Sequence, residues 1–183
     1  MNGTRVVAEG KTLYEHTMDK KLLKRLLAFG KERGIALGAT MENGDYYTAP
    51  EEVERIDVLR WGETSRHFEN PMKLLELPVR TLAYIGGPDR VRELEEHFPE
   101  CKFFMFAGKT GADVVENEAS KAEGLKRLCE YYGMDLSQTV AFGDSMNDFE
   151  IVSRAGIGIA MGNSVEELKA AADYVTDPID RDG

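Results

Sequence analysis

The sequence predicts an α/β chain, and three observations carry that prediction. Strand and helix signals alternate with short links through the C-terminal third, from 120 to 176, as right-handed crossovers and a parallel sheet require. Residues 18–110 instead mix helices with hairpin-linked strands, an α+β pattern. A chain of 183 residues that is 42% hydrophobic and 31% charged has the composition of a globular protein that needs no disulfide staple.

Residues 5–8 and 12–14 flank Glu9-Gly10, a hairpin signal. In 19–33 the apolar Leu22, Leu23, Leu26, Leu27 and Phe29 fall at helical spacing, and Gly34 is a natural stop. Residues 35–41 read as a strand. Asn43-Gly44 supplies a tight turn, and 46–48 return. Residues 51–60 read as helix. The stretch 64–78 is weakly patterned and contains Pro71 and Pro78, so it reads as loop with a short helix at 72–75. A strand at 79–85 ends at Gly86-Gly87, and a helix at 89–98 carries Val91, Leu94 and Phe98 on one face. Strands at 102–106 and 112–116 flank a turn at 108–111. The regular third then reads helix 120–132, strand 139–142, helix 147–155, strand 157–160, helix 164–172 and strand 174–176.

The formal net charge is −10, from 23 basic and 33 acidic residues. Such a surface repels a polyanion, which argues against nucleic acid as a partner but leaves room for a small phosphorylated molecule in a locally positive site. No run of 18 apolar residues is present, so no membrane partner is expected. Residues 1–11 are polar without a signal-peptide pattern. Cys101 and Cys129 lie in apolar settings and read as buried thiols of a reducing, cytoplasmic compartment.

The sharpest chemical feature is Val140-Ala141-Phe142-Gly143-Asp144-Ser145-Met146-Asn147-Asp148. Val140 to Phe142 read as a buried strand. Asp144 then lies at its carboxyl end and Asp148 in the first turn of the next helix, so both carboxylates face one crevice. Two like charges held close call for a cation between them, and magnesium takes a few carboxylate oxygens while keeping its waters. The alternative is a helix acid complementing the macrodipole at Asp148 and a turn residue at Asp144. A second feature is Lys121, just after Ser120, which forms a capping-box pattern with Glu123. A lysine is unfavourable at a helix N-terminus unless an anion is shared there; otherwise it is a solvated surface lysine. Gly156-Ile157-Gly158-Ile159-Ala160-Met161-Gly162-Asn163 departs from a dinucleotide fingerprint and reads as a tightly packed strand entering a Ser164/Glu167 capping box. Gly108-Lys109-Thr110 is no P-loop, since Phe103 stands where the first glycine belongs. His16, His67 and His97 show no triad logic.

Taken together, Ser120-Lys121, Gly143-Asp144-Ser145-Met146-Asn147-Asp148, Ala160-Met161-Gly162-Asn163 and Ala171-Ala172-Asp173-Tyr174-Val175-Thr176 resemble the second half of a haloacid dehalogenase superfamily phosphatase of the Cof type. Asn2-Gly3 and the hairpin after it resemble the segment that precedes the cap in that family. The resemblance implies a Rossmann-like parallel-sheet half-core with a large α+β cap insertion, divided as a core hairpin segment at 1–17, an α/β cap at 18–110 and the C-terminal half of the core at 111–183. It implies a Mg2+-dependent phosphoric monoester hydrolase acting on small phosphorylated metabolites such as sugar phosphates. Asp144 and Asp148 would serve the metal, Lys121 would act in catalysis on the phosphoryl charge, and Asn147 would contact phosphate. Cap loops set specificity in the family, which makes Asn43, Gly44 and Asp45 a candidate substrate-facing loop.

The family also needs an early apolar strand ending in D-x-D. Asp180-Arg181-Asp182-Gly183 has those letters but no buried strand leads into it, so it reads as an acidic tail turn. No nucleophile is therefore assigned in this chain, which reads as a fragment lacking the family's N-terminal nucleophile segment and its last helix. An exposed sheet edge would follow, inviting a homodimer or a completing chain. Two functions are compatible with this sequence: the phosphatase, or a catalytically incomplete module that binds ligand or partner without turnover.

Overall fold

A computed structural model describes residues 2–106 and 108–183. The strands and helices are β1 (Arg5–Ala8), β2 (Lys11–Glu15), α1 (Lys20–Arg33), β3 (Ala36–Met41), β4 (Gly44–Tyr47), α2 (Pro50–Trp61), β5 (Leu82–Ile85), α3 (Asp89–His97), β6 (Cys101–Met105), β7 (Gly111–Glu116), α4 (Lys121–Tyr132), β8 (Val140–Gly143), α5 (Phe149–Arg154), β9 (Ile157–Ala160), α6 (Glu166–Ala171) and β10 (Tyr174–Val175). They form two compact units, Thr17–Asn117 and Met1–His16 with Glu118–Gly183. No described helix is long and apolar enough to cross a membrane.

The unit Thr17–Asn117 is an antiparallel sheet in the order β4-β3-β5-β7-β6. Asp19 caps α1 by accepting from the N–H groups of Lys21 and Leu22, and Gly34 ends the helix at φ 62°, where a side chain would be strained. Leu22, Leu23, Leu26 and Leu27 of α1 join Leu37, Tyr84, Leu94 and Val114 in the main core. Strand alternation sends Ala36 and Tyr47 to a smaller core with Ala49 and Val53 of α2. Two expectations are corrected in this unit. The β3–β4 turn is Glu42-Asn43, with Met41 opposite Gly44, one residue earlier than Asn43-Gly44. Strand β7 pairs with both β5 and β6, so residues 111–116 belong to this sheet and the boundary falls after Asn117, not between 110 and 111. A strand's own residues do not say which sheet it will join; pairing on both edges decides that.

The segment after α2 is tied to β4. Asp45 is buried and its carboxylate accepts from the Thr40 hydroxyl at 2.7 Å, Arg66 Nη1 at 2.9 Å and the His67 N–H at 3.0 Å. Burial alone would push this carboxyl up, but those donors together hold it below its ordinary value. A carboxylate with a depressed folded pKa contributes stability above its unfolded pKa, about 3.9, and loses it as pH falls toward the lower folded value. Protection of the Glu69 N–H, which bonds the Asp45 carbonyl at 2.9 Å, against hydrogen exchange relative to its intrinsic rate should therefore fall below about pH 4. Asp45→Asn should remove that acid dependence; protection that falls identically in the variant refutes the assignment. At the far end of the sheet, Tyr84 donates its hydroxyl to the Gly87 carbonyl at 2.7 Å, and burial pushes the phenol up to about 12. Tyr84→Phe should cost about 1 kcal/mol in chemical denaturation.

The other unit opens with the β1–β2 hairpin, whose turn residues Glu9 and Gly10 both take positive φ, 49° and 74°. The expected parallel sheet is present with three strands in the order β10-β9-β8. Val152 of α5, Ala160 and Leu168 of α6 form its core. Strand β8 is an edge, and it is covered on one face alone: Ala141 and Gly143 are buried, whereas Val140 and Phe142 are 54% and 62% exposed. The reading of Val140 to Phe142 as a buried strand is thus corrected. An unbroken apolar run reads as buried on both faces, and here a single face is packed. Val140 and Phe142, with Ile157 opposite Val140 and Tyr174 opposite Ile159, leave an apolar sheet surface open. The Ser164/Glu167 capping box does not form: Val165 is the cap residue of α6 and the buried Ser164 hydroxyl has no partner among the described residues.

Candidate active site

The site residues are gathered by local chain logic. Ser120 accepts from the Glu123 N–H at 3.1 Å and fixes the start of α4, whose first residue is Lys121. Strand β8 ends at Gly143, and a 3-10 turn, Met146–Asp148, links it to α5. Asp148 thus stands in that turn, one residue before the helix in which it was expected. A Cβ on Gly143 would crowd the Asp148 side chain, which is why a residue without one ends the strand.

Asp148 is 5% exposed and is the hub. Its Oδ1 accepts from the Lys121 ammonium, a pair 27 residues apart in sequence, and its Oδ2 accepts from the Asp144 N–H at 3.1 Å. The lysine that a helix N-terminus disfavours is therefore balanced by a buried carboxylate. The side chain of Asp144 is exposed and makes no hydrogen bond or ion pair among the described residues. Asn147 donates from Nδ2 to Asn2 Oδ1 at 3.0 Å and accepts from the Ser145 hydroxyl at 2.6 Å. Lys121, Asp144, Asn147 and Asp148 are thus brought together.

Two participants escaped the site reading of the sequence, Asn2 and Ser145. Asn2 is buried at φ 34° and Gly3 follows at φ 75°. A side chain on Gly3 would run into the Ser120 carbonyl, so this dipeptide lies against the start of α4. The Asn-Gly pair was the one available signal, and it looks like any turn. Asp180 and Asp182 lie in and just after an exposed 3-10 turn, Ile179–Arg181, preceded by the short, exposed β10 and not by a buried strand. Gly108-Lys109-Thr110 belongs to the other unit. Asn163 pins the tail by accepting from the Ile179 N–H at 3.0 Å.

The donor set suits a hard divalent cation. One buried carboxylate and one free exposed carboxylate lie on the same short loop, and magnesium takes one or two carboxylates while retaining waters. Among the described residues no group of three or more acidic, histidine or cysteine side chains forms a closed cage.

A family model described as haloacid dehalogenase-like hydrolase matches residues 1–183. The chain is 31% identical over 187 residues to YkrA of Bacillus subtilis (strain 168), covering 100% of this chain and 70% of that protein. It is 26% identical over 174 residues to the HMP-PP phosphatase of Klebsiella pneumoniae (strain 342), covering 92% of this chain and 64% of the other. Among solved structures it matches the subclass IIB sugar phosphatase BT4131 with a TM-score of 0.84 and 27% identity, over 100% of this chain and 70% of that one. BT1666 from Bacteroides thetaiotaomicron, at 24% identity and a TM-score of 0.88 over 100% of this chain and 68% of its own, shares the fold.

Proposed function

The chain belongs to the haloacid dehalogenase-like hydrolases, and from that premise we propose that it carries the metal- and phosphate-holding residues of a magnesium-dependent phosphatase of small phosphorylated metabolites such as sugar phosphates. The observation that supports this reading best is the buried Asp148 carboxylate, which accepts from the Lys121 ammonium and from the Asp144 N–H, with Asn147 beside it on the same turn. A sugar phosphatase and a phosphatase of HMP-PP among the proteins it resembles support the substrate class.

In this reading Asp144 and Asp148 would hold magnesium, which would supply positive charge against the charge on the transferring phosphoryl group. Lys121 is held in place by Asp148 and adds its cation to the N–H groups at the start of α4, which favour an anion. Asn147, oriented by Ser145 and Asn2, keeps one amide hydrogen for a phosphate oxygen. Positioning and electrostatic stabilisation of this kind supply most of the catalysis in phosphoryl transfer. The aspartyl nucleophile is assigned to none of these residues. We place it in the further segment that the longer relatives possess, joined to this one in a single protein or supplied by another chain.

The test is hydrolysis of p-nitrophenyl phosphate, with magnesium and with chelator, by the protein carrying that segment. Turnover should require magnesium and should disappear in Asp144→Ala. Magnesium-independent turnover, or turnover that survives the substitution, refutes the reading. Binding of phosphate or magnesium with no turnover at all supports the non-catalytic module instead.

A further inference from the structure

Asn2 and Asn43 both precede a glycine, and that dipeptide carries a chemistry of its own. The glycine nitrogen can attack the asparagine Cγ, because no side chain on glycine blocks the approach and its backbone turns freely. A succinimide ring closes and ammonia leaves. Water then opens the ring at either carbonyl. One opening gives aspartate. The other gives isoaspartate, in which the main chain runs through Cγ and is longer by a carbon. The reaction uses water and the chain's own amides, so it is independent of the phosphatase reading.

The fold treats the two dipeptides differently. Asn43 lies in the β3–β4 turn, and its exposed side chain makes no hydrogen bond among the described residues. Gly44 stands opposite Met41 in the last pair of that ladder, so presenting its nitrogen requires opening only the end of a hairpin, where opening costs least. Asn2 is buried, and its Oδ1 accepts from Asn147 Nδ2 at 3.0 Å, which holds the side chain away from its own backbone. Gly3 is wedged against the Ser120 carbonyl, so its nitrogen has no room to swing toward the Asn2 Cγ. The Asn43 reaction also has a structural consequence. Asp45, the residue after Gly44, pairs with Thr40 in the ladder, and its carboxylate accepts from the Thr40 hydroxyl, the His67 N–H and Arg66, which in turn donates from Nε to Asp57 Oδ2 at 2.7 Å. An extra main-chain carbon before Gly44 shifts that register and draws the carboxylate off its donors. We propose that Asn43 is a site of spontaneous deamidation whose isoaspartate product loosens the Asp45 network, and that the fold shields Asn2 from the same reaction.

The full folded chain, aged in mildly alkaline buffer and mapped by peptide mass spectrometry, should gain the mass of oxygen in place of NH at Asn43. The gain should be at least about tenfold faster than at Asn2, the ratio that about 1.4 kcal/mol of extra opening free energy produces. In guanidinium chloride, where the fold is gone, that ratio should fall toward unity. The aged chain should lose protection of the Glu69 N–H, which bonds the Asp45 carbonyl, against hydrogen exchange. Asn43→Gln aged in the same way should keep it, because glutamine closes a less favoured ring. Freshly purified Asn43→Asp adds the charge without lengthening the main chain and should keep it too. The proposal is overturned by an Asn43 that does not convert, by an Asn2 that keeps pace with it in the folded chain, or by a ratio that survives guanidinium chloride. Full Glu69 protection in the converted chain, or the same loss in fresh Asn43→Asp, overturns it as well.

Discussion

Lys121→Ala should lower magnesium-dependent phosphate-ester turnover about 10²–10³-fold, the scale on which a single preorganised electrostatic group acts on a transition state. It should also destabilise the protein by about 1–3 kcal/mol, because the buried Asp148 carboxylate would lose its cationic partner. The two effects are separable. The Asp144 side chain is exposed and bonds nothing described, so Asp144→Ala should move stability by less than about 0.5 kcal/mol while removing the metal-dependent rate. Turnover measured beside thermal melts for both variants distinguishes a site from a structural ion pair. Equal loss of stability in the two, or full turnover in Lys121→Ala, would mean that this lysine serves the fold and not the chemistry.

The other large effect concerns the core of the five-stranded unit. Leu94 of α3 is fully buried among Leu26, Val91, Phe98 and their neighbours. Leu94→Ala should cost about 2–5 kcal/mol in urea denaturation, from lost transfer free energy and the cavity left behind. Val58→Ala, on the half-exposed face of α2, should cost less than about 0.5 kcal/mol and serves as its control. A small effect at Leu94 would mean that the site collapses around the smaller side chain.

The acidic surface does not oppose hydrolysis of a phosphate ester. In the proposed function the positive charge that a phosphate needs would come from magnesium and the start of α4 together with Lys121, because Asp148 already balances the Lys121 ammonium.

The sequence by itself determined the local elements and the family. Leu22, Leu23, Leu26 and Leu27 specify a helical face, Asp19 and Gly34 specify its ends, and the alternation after residue 120 specifies the parallel sheet. Those signals are legible because helix periodicity and caps act over a few neighbouring residues. Lys121, Asp144, Asn147 and Asp148 were legible as candidates because a strand end and a helix start lie within one short motif. Tertiary structure alone decided the rest. Which sheet β7 joins, that Asn2 meets Asn147 across 145 residues, and that Asp45, Asp57 and Arg66 share one network are matters of long-range contact. The exposure of Val140 and Phe142 belongs with them. Apolar residues in a strand show that burial is favourable, but whether a surface is buried depends on what packs against it, and that is fixed by partners far away in the chain.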